Sequence, residues 1–230
     1  MHRIAPSSVD LTAFGKPTGF YDRQIKTLSR ISRAQSLVLD NDTQDPVGPI
    51  PHFDAMISFF SRRDCQPRDR GALIHGDYKI DNLVFHATEP RVVGILDWEM
   101  ATIGHPLSDL VNLTGPWSWM QTPSSAASGI TRKFEVGATP GLPTLEQCVA
   151  WYAEAAGWDP SPELAWGNAF GGLRGAVIMQ GIAARYAMRS ASGETAAEFA
   201  AQMKPHGEWT WQMVEALKRP GKRKDATSKL

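Results

Sequence analysis

The spacing of apolar residues changes twice along this chain, and that change limits the fold more than any other feature. Phe20 onward, through YDRQIKTLSRISRAQ, has helical spacing, with Ile25, Leu28 and Ile31 as a narrow apolar face. A second helix is predicted from about His52 to Arg63, burying Met56, Ile57, Phe59 and Phe60, after a turn-rich break at DNDTQDPVGPIP. From Gly71 the runs shorten to ALIH, NLVFH and RVVGILDW, which are aliphatic, β-branched and separated by turn signals such as Glu89-Pro90. Helical spacing returns after Pro106 in SDLVNL. A loose stretch is then expected from Gly115 to Pro143, with Trp117 and Trp119 in it, followed by a helix from Thr144, its N-cap, to Ala156. A long helix is predicted within 162–190 and another from Thr195 to Leu217. Few short strands among many helices define a mostly helical α+β fold, with polar residues at the strand junctions.

Composition narrows the classes. Hydrophobic residues make up 42% and charged residues 21%, enough for a core and too few charges for wholesale disorder. Basic and acidic residues number 24 each, so no overall field recruits nucleic acid or anionic lipid. The balance is uneven: the last thirteen residues carry six Lys and Arg against Asp225. Cys65 and Cys148 form no CxxC and fit a reducing compartment as small buried hydrophobes. The N-terminus has no apolar run of signal-peptide length, and the most apolar stretch, 164–187, is interrupted by Asn168, Arg174, Gln180 and Arg185. It reads as a core helix rather than a membrane span. On it Gly167, Gly171 and Gly175 recur every four residues, a face that another backbone can approach closely.

The chemistry lies in His75-Gly76-Asp77-Tyr78-Lys79-Ile80-Asp81-Asn82, followed by Ile95-Leu96-Asp97-Trp98-Glu99. Phosphoryl transfer asks a protein for a carboxylate to orient or deprotonate the attacking hydroxyl, and for groups that hold Mg²⁺ on the nucleotide phosphates. Asp77 and Asn82 have the D-x-x-x-x-N spacing of a kinase catalytic loop, and Asp97 ends a strand fifteen residues beyond Asn82. Mg²⁺ takes only one or two side-chain oxygens in such sites, so Asn82 with Asp97 suffices. Lys79 is placed to neutralise charge on the transferred group. His75 is expected to brace the loop by hydrogen bonding, and Asp109 to accept its backbone N–H groups.

H-G-D-x-x-x-D-N with I-L-D-W-E-x-A-x-x-G-x-P-x-x-D-L resembles the aminoglycoside phosphotransferase family, choline-kinase-like small-molecule kinases with a protein-kinase-like fold. More narrowly it resembles the kinase-like domains fused to acyl-CoA dehydrogenases. FGKPTGFYDRQIKTLSR and AVIMQGIAARY are similar to that subgroup too, so the likeness spans about residues 14 to 190. It implies ATP and Mg²⁺ as cofactors, Asp77 as catalytic base, Asn82 and Asp97 as metal ligands, and Asp109 as a loop-bracing acid. The acceptor it implies is a small-molecule hydroxyl, that of a hydroxylated acyl-CoA or of another alcohol; a polycationic drug is disfavoured because no suitable cluster of acids stands out.

The chain also departs from that pattern. The residues before His75 read as an extended lead-in (1–19) and two helices, with no Gly-rich strand-turn-strand and no V-A-I-K strand. Residues 20–217 therefore resemble the C-terminal lobe of the fold without its N-terminal lobe, and slow turnover or none is the expectation. The alternative is a catalytically dead remnant serving as a binding module, with a partner docked on the exposed lobe interface. Residues 218–230 read as a disordered basic tail ending in Ser228-Lys229-Leu230, a peroxisomal address read by an import receptor. Peroxisomal localisation is the expectation, cytoplasmic otherwise.

Overall fold

In the computed structural model, which describes residues 1–119, 131–191 and 195–218, the apolar spacings become helices that meet on a main core and on a smaller one around Leu107, Leu110 and Val111. Helix α1 (Phe20–Ser36) buries Phe20, Tyr21, Ile25, Leu28 and Ser32, a stripe with steps of three or four residues from Tyr21 onward. Helix α2 (Phe53–Phe60) buries Phe53, Met56, Phe59 and Phe60. Both lie on the long pair α5 (Ser161–Ala187) and α6 (Ala196–Lys218). Aromatic rings lock the centre: Tyr21 and Phe60 meet both Trp166 and Phe170 edge-on, at centroid distances of 4.6 to 5.3 Å. The fully buried amide of Gln180 is satisfied. Gln180 accepts a hydrogen bond from the Ser32 hydroxyl at 2.7 Å and donates to the Gly48 carbonyl at 2.9 Å, tying α1 and the turn beyond it to α5.

The glycine stripe explains how the helices pack so closely. A Cβ on Gly167 would lie 2.8 Å from Leu107, and one on Gly171 would lie 2.8 Å from Val111, both on α3 (Leu107–Trp119). Gly175 faces the His206 ring of α6 at the same distance. Among the described residues no helix is long and apolar enough to cross a membrane.

Four short strands carry the loops of interest. Strand β1 (Ala72–Ile74) pairs antiparallel with β4 (Thr102–Gly104), and β2 (Leu83–Phe85) pairs with β3 (Val92–Ile95). Strand β4 leaves no signal in the sequence: three residues between a turn and Pro106 are too few to show a period.

Three further expectations need correction. The lead-in is not extended; Pro6–Val9 makes a 3₁₀ turn. Nor is the stretch after Gly115 loose at its start, because α3 runs through Pro116 to Trp119 and places Trp117 on a helix. Residues 120–130 lie outside the described residues. Cys65 and Cys148 are free thiols, half-buried rather than sealed. Thr144 does cap α4 (Leu145–Ala156): its hydroxyl accepts from the Gln147 N–H while the Gln147 side chain accepts from the Thr144 N–H. The basic tail and its Ser228-Lys229-Leu230 end lie outside the described residues, apart from Lys218, which closes α6.

Gly167→Ala forces a methyl against Leu107. The overpacking outweighs the roughly 1 kcal/mol of helix propensity gained, so a net loss of about 1 kcal/mol is expected. By thermal denaturation the melting temperature should fall by about 2–4 °C.

His105, at 1% exposure, sets a pH dependence. Its Nε2–H donates to the Arg68 carbonyl and its Nδ1 accepts from the Leu107 N–H, so the neutral ring is fully used. Burial, chiefly, lowers its pKa to about 4. The unfolded ring titrates near 6.5, so the unfolded chain binds the proton first as pH falls. The stabilisation is whole above pH 6.5 and about 3 kcal/mol is lost on the way down to pH 4. Urea midpoints measured across that range should show the decline, and His105→Asn should flatten it.

Candidate active site

Strand β1 delivers the chain to His75-Gly76-Asp77, and a single buried carboxylate shapes the loop there. Asp109, in the first turn of α3 and 1% exposed, accepts the His75 N–H on Oδ2 at 2.7 Å and the Gly76 N–H on Oδ1 at 2.9 Å. Gly76 sits at φ +85°, and a Cβ there would meet the Met100 backbone, so the turn requires glycine. The His75 ring is fully buried. Its Nε2–H donates to the Leu96 carbonyl at 2.7 Å, and its Nδ1 accepts the Asp77 N–H at 3.2 Å. Both nitrogens are engaged by backbone groups, which makes His75 a tie between the loop and the end of β3.

The lead-in also reaches this network. His2 Nε2 lies 3.2 Å from Asp109 Oδ2, and its Nδ1 lies 2.7 Å from the Tyr152 hydroxyl. Burial, the main cause, pushes Tyr152 up to about 12, so that hydroxyl remains a donor. Sequence reasoning missed both residues, which sit 107 and 43 positions from Asp109 with no motif to mark them.

Asp77 is half-buried and surrounded by donors. Its Oδ2 lies 3.1 Å from Lys79 Nζ and 3.3 Å from the Asn82 amide nitrogen, and its Oδ1 accepts from Asn112 at 3.1 Å. Arg174, from the middle of α5, donates to the Gly76 carbonyl at 2.9 Å. Burial alone would raise the Asp77 pKa. Hydrogen bonds from Lys79 and Asn112, with the charges of Lys79 and Arg174, outweigh it and hold the carboxyl below the usual carboxylate range. Sequence reasoning also missed Asn112 and Arg174 as site residues; Arg174 stands out only as a charge within an apolar helix.

The β2–β3 register, in which Leu83 opposes Ile95 and the Leu96 N–H donates to the Asn82 carbonyl, puts Asn82 opposite Leu96, one residue before Asp97. The Asn82 side-chain nitrogen is committed to Asp77, donating to its backbone carbonyl at 2.8 Å, and this leaves the amide oxygen as the remaining donor atom. Asp97 is exposed at φ +61° and accepts no hydrogen bond from any described residue. An amide oxygen and a carboxylate form a hard-oxygen pair that suits Mg²⁺. Among the described residues no three His, Cys, Asp or Glu side chains gather to hold a metal, so such an ion would rely on water and a ligand's own oxygens for its remaining positions.

Beside Asp77 and Lys79 opens a cleft of about 300 Å³, walled mainly by apolar groups of α3, α5 and α6, including Val111, Gly171, Ile178 and Phe199. The β2–β3 pair and the turn after it leave Phe85, Val93, Leu96, Trp98 and Met100 about half exposed. Two helices precede β1 and no strand pair does so among the described residues.

Comparison with known proteins agrees with this geometry. The profile of the phosphotransferase enzyme family matches residues 1–141. Acyl-CoA dehydrogenase family member 11 of Gallus gallus is 32% identical over 94% of this chain, and the human protein of that name is 29% identical over 93%. A plant relative, the probable acyl-CoA dehydrogenase IBR3 of Arabidopsis thaliana, is 35% identical over 54% of the chain. The chain spans about a quarter of the length of the animal relatives, 26% for both chicken and human. A crystal structure from Ralstonia eutropha JMP134, assigned to the aminoglycoside phosphotransferases, superposes with a TM-score of 0.74 at 26% identity, covering 95% of this chain and 62% of that one. Its kinase-like fold is the mostly helical architecture described above. By sequence profile, by relatives and by fold, this chain belongs to the phosphotransferase enzyme family.

Proposed function

We propose that the chain carries the catalytic loop of an ATP- and Mg²⁺-dependent phosphotransferase acting on a small-molecule hydroxyl. The observation that carries this reading is Asp77: a carboxylate kept ionised by its neighbours, at the mouth of an apolar cleft, beside an Asn82–Asp97 pair suited to a hard cation. In the proposed reaction the acceptor oxygen bonds to the γ-phosphorus, the bridging P–O bond breaks to release ADP, and the hydroxyl proton passes to Asp77. Mg²⁺, held by Asn82 and Asp97, would supply charge neutralisation at the phosphates. Lys79 would leave Asp77 and compensate charge on the transferred group. Asp109 and His75 hold the loop in shape throughout.

The cleft supports a particular class of acceptor. Lys79 meets Asp77 and Arg174 meets the Gly76 carbonyl beside it, and the remaining wall is mainly apolar. That surface suits an alcohol with an apolar body better than a polycation, and the names of the relatives point to acyl-CoA chemistry. A hydroxylated acyl-CoA is the acceptor we propose.

Titrating Mg·ATP into the protein while following the melting temperature tests the nucleotide half of this reading. A ligand that binds the folded chain alone raises stability by about 2.7 kcal/mol at a hundredfold excess over its Kd, a rise of several degrees. The rise should require Mg²⁺ and disappear in Asp97→Ala. Asp77→Asn should keep it while abolishing phosphate transfer to a hydroxyacyl-CoA, followed by mass spectrometry. No rise at saturating Mg·ATP would overturn the reading and leave a binding module on this fold.

A further inference from the structure

Resting on the reading of Asp77 as the base, we propose that Asn112 and Arg174 are its positioning residues. Between them they hold Oδ1 and the peptide before Asp77, so that Oδ2 is the oxygen presented to an acceptor hydroxyl. The two oxygens of a carboxylate are chemically equivalent, and only their surroundings can tell them apart. At Asp77 the surroundings do so. Oδ1 has one partner among the described residues, the Asn112 amide, which comes from α3 and lies thirty-five positions along the chain. Oδ2 has Lys79 at 3.1 Å and a long 3.3 Å contact from Asn82. The Lys79 side chain is 42% exposed, so that pair is screened by water and readily parted. Asn112 is more firmly held, because its backbone is part of a helix.

Arg174 fixes the other degree of freedom. Its guanidinium donates to the Gly76 carbonyl, which belongs to the peptide leading into Asp77. Gly76 is the position with the greatest backbone freedom in the loop, at φ +85°. Its N–H is held from behind by Asp109 and its carbonyl from the cleft side by Arg174, so the direction in which Asp77 leaves the loop is set from both ends. The charged and titratable groups around Asp77 are then Lys79 on its own loop, Arg174 on α5, Asp109 on α3 behind the loop, and the His75 ring that accepts the Asp77 N–H.

Asn112 and Arg174 also line the apolar cleft, whereas Asn82 does not. An acceptor filling that cleft therefore touches the two side chains that aim the base. This links recognition of the acceptor to the orientation of the oxygen that takes its proton, through residues outside the H-G-D-x-x-x-D-N motif.

The test is steady-state kinetics of phosphate transfer to a hydroxyacyl-CoA by the full chain, with Mg·ATP binding followed separately through the rise in melting temperature. Asn112→Ala and Arg174→Met should each lower kcat about tenfold or more at saturating acceptor while leaving the KM for Mg·ATP and its melting-temperature rise unchanged, and Arg174→Lys should return most of the lost kcat. Circular dichroism and melting curves show that each variant is folded; should Arg174→Met fail to fold, Asn112→Ala and Arg174→Lys carry the test. A wild-type kcat in folded Asn112→Ala overturns the proposal. Unchanged kcat with intact Mg·ATP binding sinks the positioning pair alone, whereas a wild-type chain that neither binds Mg·ATP nor transfers phosphate overturns the phosphotransfer reading and the pair's catalytic meaning with it.

Discussion

Two hydrogen bonds to one buried carboxylate organise this site. A carboxylate removed from water is costly unless its oxygens find donors, and Asp109 finds them in successive N–H groups of a loop that would otherwise leave those groups unpaired. Each side thus satisfies the other. Because the donors are adjacent backbone amides, the geometry is that of a clamp: both oxygens are used, and the peptide planes of His75 and Gly76 are fixed relative to α3. His75, Asp77 and the β2–β3 pair are placed by reference to that clamp, through the His75 bonds to Leu96 and to the Asp77 N–H. The acid also lies in the first turn of α3, where the helix dipole favours negative charge.

How much of this was legible in the sequence depends on how far each interaction reaches along the chain. The spacing of Asp77, Asn82 and Asp97 was legible because one loop and one strand pair set it locally. Asp109 was legible in outline, since its position after Gly104-His105-Pro106 belongs to the same run. The helices showed in their periodicity, and the capping residue of α4 in Thr144. Asn112 carried no signal, because an Asn on a helix face is ordinary until the fold sets it against a loop thirty-five residues earlier. Arg174 could be seen only as an interruption of an apolar helix; its partner lies ninety-eight positions away. Strand β4 was too short to show a period, and the stretch from Gly115 read as loose although α3 runs on through it to Trp119.

Pro116 shows how tertiary context can override a local rule. A proline inside a helix removes the N–H that would bond to the carbonyl four residues back, which here is the carbonyl of Asn112. The helix nevertheless continues to Trp119, with Trp117 anchored by its indole N–H on the Pro143 carbonyl and by an edge-on contact with Phe134. Packing on both flanks offsets the missing bond. The break in the hydrogen-bond ladder falls at the residue whose side chain meets Asp77, so the local irregularity of α3 and the site share one position.

The two sides of the loop differ in a way that decides how strong its electrostatics are. Behind it, Asp109 and His75 are buried between α3 and the short strands. In front, the Lys79–Asp77 pair is 42% and 27% exposed, a setting in which an ion pair contributes at most about 1 kcal/mol. The same charges at the same separation interact several times more strongly once water is excluded. The exposed side chains of Leu96 and Trp98 flank Asp97 along the chain. Burying them would shelter the Asn82–Asp97 pair and give the screened front of the loop the low-dielectric setting its rear already has. The rear of the site thus sets geometry, which persists in water, while the front holds the charges whose strength depends on what covers them.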